Sequence, residues 1–456
     1  MANINDYLQW RGDISLEERP FNDVDNVILS ALSYLDFTGI VPGERTGAGI
    51  GLALACQRLL ERAGGDVTPY VRSLARIDST FVARIADSRR FGSAILRSYV
   101  DIVDEGRSLQ FSALQVDLAS GETYVAFRGT DSTLVGWRED FMLSFEVTEA
   151  QREAAAYLER ALVRAAGQGR MVRTGGHSKG GNLAEYAAAC CPSGLRERIV
   201  RVYSNDGPGM APEVMRHDSR DVLGGRLKRI VPTYSVVGML FARADDPRVI
   251  VQSTGVGIGQ HDPTTWQVLR TGVMEALQLQ PECVPVNEAV ARWAEGIPLD
   301  ERERVTNEVF DALGAGGATR FDEIGASPEG LQQVLRALGN TDERTRELVM
   351  ALVGGTLDTS AAAVRKAAAE TFDQWKKGMK SVVEDAARKL AKPEGKVKGE
   401  LARVPSGEIR LDRRRIEWAL GTDHRPDDHR GDGDHDGAHE GVSKRVDADA
   451  RAKQVE

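Results

Sequence analysis

RTGGHSKGGNLAEYAAA, Arg173 to Ala189, places one serine in a cluster of glycines, followed by an alanine-rich run. Gly176-His177-Ser178-Lys179-Gly180 matches G-x-S-x-G. That spelling suits a sharp turn in which the serine hydroxyl stands above a sheet. The flanking glycines let strand and helix approach without a Cβ between them. The neighbours supply the setting: GRMVRTGG reads as a short strand before it, and NLAEYAAA as a helix after it. An ordinary glycine-rich turn before a surface helix is the competing reading. What separates the two is whether a base, an acid and an oxyanion hole stand elsewhere in the chain at the right places.

Working outward, strands and helices alternate. SLQFSALQVDL and TYVAFRG flank the turn ASGE and read as a β-hairpin. EAQREAAAYLERALVRAAG is a long helix, RIVRVYSNDGPG a strand ending in a tight turn, and LKRIVPTYSVVGML and PRVIVQST two further strands. This alternation predicts an α/β fold: a mostly parallel central sheet with helices on both faces and a ligand site at the carboxyl ends of the strands. Upstream, DNVILSALSYLDF carries Ile28, Ala31, Leu32 and Leu35 at helical spacing, and GIGLALACQRLLERAG follows as a second helix. STFVARIADSRRFGSAILRSYVDIVDEG reads as more helix, to about Asp104.

After about residue 295 the strand signals stop. The expected organisation is a domain over residues 1–295, a helical appendage over 296–392 and a disordered tail over 393–456, too poor in apolar residues to offset its ordering entropy. The interleaved His and Asp of that tail match neither zinc-finger nor EF-hand spacing. Cys56, Cys190, Cys191 and Cys283 show no CxxC spacing, and the adjacent Cys190 and Cys191 read as buried or half-buried thiols. No metal and no cofactor are called for. The net charge of −9 argues against nucleic acid or an anionic membrane as partner. The C-terminal helices are the place for a protein partner. Neither a secretory signal nor a transmembrane run is read in the sequence, so the expected location is cytoplasmic.

The base is sought among seven histidines. His424, His429, His435 and His439 lie in the tail, and His177 lies inside the elbow with its side chain expected to point into the fold. Of His217 and His261, the second follows the last strand, in STGVGIGQHDPTTW. The α/β-hydrolase order of serine, acid, histidine favours His261. Asp206 ends RIVRVYSND, at the carboxyl end of a strand. Asp245 and Asp246 stand before the last strand, and Asp262 adjoins the histidine too closely to orient it. Asp206 is the first candidate, Asp245 or Asp246 the second, and no acid at all the third. Capping its own turn is the ordinary use of an aspartate like Asp206. Two backbone N–H groups would complete the oxyanion hole: that of Lys179, next after the serine, and that of Thr130, after Phe127-Arg128-Gly129. The side chain of Lys179 is expected to be exposed.

These residues together resemble a family. FRGT after a hairpin strand, then Trp137 and Asp140, a long helix and GHSKGG resemble the class-3 lipases, a branch of the α/β-hydrolases. More narrowly, DYLQWRGD, VDNVILSALSYLDF, SNDGPGM, SVVGML and QHDPTTW resemble a bacterial lipase-like, Mbeg-like group of undetermined function, over roughly the first 290 residues. The resemblance implies an α/β-hydrolase fold with Ser178 as nucleophile, His261 as base and Thr130 at the oxyanion hole. One departure stands out: where class-3 lipases place the acid, PTYSVVGML has Ser235. Either the acid is Asp206 on another strand or the triad is incomplete, which costs about four orders of magnitude in turnover. The expected function is hydrolysis of a carboxylic ester, small or lipid-like. A non-catalytic scaffold and an acyltransferase are the alternatives.

Overall fold

The computed structural model describes residues between 2 and 349, with gaps at 74 and within 105–108, 131–145, 211–218, 243–245, 284–296 and 320–348. The chain divides into two units, Met1–Lys380 and Ser381–Glu456, and the described residues all belong to the first. The expected tail, His217 and Asp245 lie outside the described residues.

Four helices and a short strand open the chain: α1 (Ile4–Arg11), α2 (Asp23–Leu32), β1 (Gly49–Gly51), α3 (Leu52–Arg62) and α4 (Ser79–Asp87). Asn3 and Asn22 begin α1 and α2 with capping boxes, each side chain accepting from first-turn N–H groups while an aspartate three residues on returns the bond. β2 (Ile95–Asp104), β3 (Leu109–Asp117) and β4 (Glu122–Phe127) follow as an antiparallel meander. Then come α5 (Glu149–Gly167), β5 (Met171–His177), α6 (Lys179–Cys190), α7 (Ser193–Arg196), β6 (Ile199–Asn205), α8 (Ser219–Leu223), β7 (Leu227–Pro232), β8 (Arg248–Val251) and β9 (Glu275–Ala276). α9 (Leu299–Gly314) and α10 (Pro328–Ala337) close the described chain.

Among the described residues nine strands form one sheet, in sequence order from β1 to β9. It is a mixed sheet rather than the mostly parallel one expected. β1 to β4 pair antiparallel, β4 to β8 pair parallel, and β9 returns antiparallel. The connections explain the difference. A tight turn reverses the chain between β3 and β4, whereas the long connections that contain α5, α6 and α8 carry it back for parallel pairing. A second correction concerns residues 88–104. The helix expected to run to Asp104 stops at Asp87, and Ile95–Asp104 is β2. Gly92 packs its Cα against the turn, where a Cβ would lie 2.5 Å from the carbonyl oxygen of Ala86. The β-branched residues beyond it, Ile95, Val100, Ile102 and Val103, suit a strand.

Sequential strand order has a consequence for the layers. Right-handed crossovers between neighbouring parallel strands deposit their helices on one face. That face is an apolar cluster of Phe111, Ala113, Val125, Phe127 and Val172 with α5 and α6. The alternate residues Leu114, Val116, Tyr124 and Ala126 turn to the other face, which the N-terminal helices cover with Ile28, Leu32, Leu52 and Phe81. So helices lie on both faces, but by two different routes. A third cluster joins Val305, Val309 and Phe310 of α9 to Phe141 and to Tyr234, Val237 and Leu240 beyond β7. Among the described residues, no helix is long and apolar enough to cross a membrane. Cys56, Cys191 and Cys283 are buried free thiols, and Cys190 is exposed rather than half-buried.

The N-terminal layer is tied down by a buried ion pair. Arg90 donates from Nε and Nη2 to the two carboxylate oxygens of Asp25, at 2.6 and 2.5 Å. Its remaining donors reach the carbonyls of Ile14, Ser15, Arg19 and Pro20. Burial and the neighbouring Asp25 charge push the Tyr7 phenol, which donates to the same carboxylate, up to about 12. Removing one member of such a pair strands the other charge. Arg90→Leu is expected to lower the unfolding free energy by about 3–5 kcal/mol, read as a fall in the urea midpoint.

Candidate active site

β5 delivers Ser178 in a strained turn. Ser178 has φ 58° and ψ −131°, and its amide donates to Asn205 O on β6 at 2.9 Å while Gly181 N returns to Ser178 O at 2.9 Å. A positive φ at a non-glycine residue costs free energy and persists where surrounding packing over-determines it. That packing is visible in the glycines. A Cβ on Gly176 would lie 2.4 Å from Gly180 C and 2.5 Å from Phe127 O, and one on Gly180 would lie 2.1 Å from Phe127 O. Strand end, elbow and first turn of α6 therefore touch backbone to backbone. The amino end of α6 faces Ser178, with its dipole favourable to negative charge.

Asp206 ends β6, one strand over, also at positive φ, 48°. Its carboxylate is fully buried. Oδ1 accepts from Ser235 Oγ at 2.5 Å and from Gly238 N at 3.2 Å. Oδ2 lies 2.6 Å from His261 Nδ1. Ser235, beyond the end of β7, thus donates to a carboxylate supplied by the neighbouring strand. Gly238 makes room for this: a Cβ there would be 2.4 Å from Asp206 Oδ1.

His261 closes a 3₁₀ turn, Gly257–His261, beyond β8. Its Nε2 is 3.0 Å from Ser178 Oγ. With Asp206 accepting at Nδ1–H, the neutral ring leaves Nε2 as acceptor for the serine proton. Neighbours hold this loop. Gln260 Oε1 accepts from Thr233 Oγ1 and Tyr234 N, Trp266 Nε1 donates to Gln260 O, and His177 Nε2 lies 2.7 Å from His261 O. Tyr34, Ser235, Gln260 and Trp266 were not among the expected site residues; their types are ordinary for turns and core, and only Ser235 carried a positional clue.

The other candidates fall elsewhere. Asp262 spends Oδ1 on Thr264 N and Oγ1 and accepts from Arg76 N at Oδ2, with its carboxyl raised by burial against those bonds. Asp246 is buried at the start of β8, the end of that strand remote from His261 in sequence. Thr130 is buried beside the elbow, one residue after Gly129, where a Cβ would be 2.4 Å from His177 O and 3.2 Å from Ser178 Cβ. The strand end leading to it is fixed by Arg128, which donates to both oxygens of Asp101 at 3.0 and 2.8 Å. Lys179 is buried at 2% exposure, contrary to the exposed side chain expected. The reason is its position: first residue of a helix whose opening turn is pressed against β4.

A polar network backs the elbow from below. Asn205 Nδ2 donates to Gly176 O at 3.0 Å and to Ser30 Oγ at 3.0 Å, and Asn26 Nδ2 donates to Asn205 Oδ1 at 2.7 Å. Tyr124 donates to Asn26 Oδ1 at 2.7 Å. Fully satisfied networks of this kind make one arrangement of the backbone specific.

Residues 85–311 match the Mbeg1-like family, and the chain resembles that group. Among solved structures it is similar to the lipase of Rhizomucor miehei in its native propeptide complex, at 17% identity, covering 54% of this chain and 71% of that one, with a TM-score of 0.31. It is also similar to M37 lipase, at 17% identity, covering 47% and 68% respectively, with a TM-score of 0.26. None of the curated proteins matches the chain.

Two measurements follow from this geometry. Gly180→Ala drives a methyl into Phe127 O, and a loss of about 1–3 kcal/mol is expected in chemical unfolding. Burial, and next the neighbouring His261, hold the His177 imidazole well below its ordinary 6.5. The unfolded chain then binds a proton that the folded one refuses. The contribution of neutral His177 is complete above pH 6.5 and is lost as pH falls below it toward the folded value. His177→Gln is expected to flatten the decline in stability between pH 6.5 and 5 relative to wild type, read from unfolding midpoints.

Proposed function

We propose that the protein is a serine hydrolase of α/β-hydrolase type that cleaves carboxylic esters, small or lipid-like. The single observation that carries the reading is the chain of contacts Ser178 Oγ–His261 Nε2 at 3.0 Å and His261 Nδ1–Asp206 Oδ2 at 2.6 Å, at the ends of β5 and β6 and after β8. Ser178 Oγ attacks the ester carbonyl while His261 takes its proton. The developing oxyanion is met by the backbone N–H of Lys179, at the amino end of α6, and that of Thr130. Asp206 holds the imidazole tautomer and balances the imidazolium that forms. The tetrahedral intermediate then collapses: His261 returns the proton to the leaving alkoxide, and the acyl group stays on Ser178. Water, deprotonated by the same histidine, releases the acid. Burial of all three side chains keeps the dielectric low, which strengthens each of these charge interactions.

The scaffold reading rests on the missing acid at Ser235 and on the helical C-terminal appendage with its charged tail. Asp206 beside His261 supports the hydrolase reading instead. Acyl transfer shares every step up to the acyl-enzyme and differs in the final acceptor.

A fluorophosphonate probe is expected to label the wild type and leave Ser178→Ala unlabelled. Equal labelling of both, or of neither, would sink the proposal. With p-nitrophenyl butyrate as substrate, Asp206→Asn is expected to lower kcat by about 10⁴-fold while leaving KM within a few-fold.

A further inference from the structure

We infer that Tyr34 and His177 act together as positioning residues for His261, His177 clamping the backbone of the base and Tyr34 reinforcing the His177 tautomer that does so. The inference rests on the reading of His261 as the base and concerns two residues that this reading leaves without a role.

Tyr34 follows α2, buried at 1% exposure, and its hydroxyl lies 2.8 Å from His177 Nδ1. His177 is the last residue of β5, and its Nε2 lies 2.7 Å from the carbonyl oxygen of His261. A carbonyl only accepts, so Nε2 carries the hydrogen. A neutral ring protonated there presents a lone pair at Nδ1, and the Tyr34 hydroxyl donates into it. The two imidazoles lie 4.5 Å apart between centroids, tilted by 40°, with Trp266 edge-on to His177 at 6.1 Å. Burial keeps His177 neutral beside a ring that must itself become charged during turnover.

His261 needs this help because its backbone is irregular. It stands at the end of a 3₁₀ turn, outside the sheet ladder. Asp206 and Ser178 grip the two ends of the ring, while the His177 bond fixes the main chain from which the ring hangs. The His261 carbonyl already favours Nε2–H, and the Tyr34 hydroxyl reinforces that choice by donating to the lone pair it leaves at Nδ1. In the Nδ1–H tautomer two acceptors, His177 Nε2 and His261 O, face each other and the clamp becomes a repulsion. The same hydroxyl also bounds the oxyanion loop, since a Cβ on Gly129 would lie 2.2 Å from it. Tyr34 thus contacts the elbow histidine and the oxyanion strand end at once. It does so from the N-terminal helices, upstream of the residues 85–311 that match the family.

The test uses the full chain with p-nitrophenyl butyrate and selective ¹⁵N-histidine NMR. Tyr34→Phe keeps the ring and its packing and removes only the donor. It is expected to lower kcat about ten-fold at unchanged KM, and His177→Leu by about 10²-fold, as for a small misplacement of a catalytic group. His177→Gln, whose amide can still donate to the His261 carbonyl, is expected to recover much of that loss. In the spectrum, wild-type His177 should be the neutral Nε2–H tautomer, and Tyr34→Phe should move its Nδ1 resonance downfield as the hydrogen bond to that nitrogen is lost. Unchanged kcat in both Tyr34→Phe and His177→Leu overturns the inference. So does a wild-type His177 that is protonated or of the Nδ1–H form. If Ser178→Ala still hydrolyses the ester, the hydrolase reading fails, and the tautomer spectra decide the Tyr34–His177 contact by themselves.

Discussion

The site depends on a backbone contact that no side chain could survive. The end of β4, the turn at Ser178 and the first turn of α6 lie against one another so closely that a Cβ at Gly176 or Gly180 would sit inside Phe127 O. That contact sets the strained φ of Ser178, aims the amino end of α6 at the serine and brings the loop after Phe127 alongside. It also buries Lys179, because a residue opening a helix under such pressure has nowhere to expose its stem. Strain at Ser178 is held by neighbours on every side: Asn205 from β6, the Asn26–Tyr124 network beneath, and Gly129 across the strand end.

A second constraint comes from the order of the strands. With β4 to β8 sequential, the crossover helices occupy one face and leave the other bare. The N-terminal helices fill that face, anchored by the Asp25–Arg90 pair. Their position is what carries Asn26, Ser30 and Tyr34 to the underside and flank of the elbow. The layer that completes the hydrophobic core is therefore also the layer that supports the site.

Much of this was legible in the sequence where the signal is local. The hairpin of β3 and β4, the helices α5 and α6, and the glycine-flanked serine all follow from patterns within a few residues. Ile95–Asp104 was misread because helix and strand compete over a run that is neither cleanly alternating nor cleanly of helical period, and a glycine at 92 with close packing tipped the balance. The sense of the sheet was overstated because the early strands β1 to β4 pair antiparallel, β3 and β4 through a tight turn, before the α/β alternation begins.

By itself, the sequence determined the elbow at Ser178, the position of His261 after the last parallel strand, and a short set of carboxylates, Asp206 first among them, that could stand between. These are properties of neighbours, set by backbone freedom and hydrophobic period. Tertiary structure decided which carboxylate faces His261, that Ser235 serves that carboxylate as a donor, that Lys179 is buried, and that Tyr34 reaches His177. Each of these joins residues far apart in the chain: 83 positions between Ser178 and His261, 55 between Asp206 and His261, 143 between Tyr34 and His177. Hydrogen bonds act over about 3 Å, so such partners are chosen by strand register and layer order, and no local pattern encodes either.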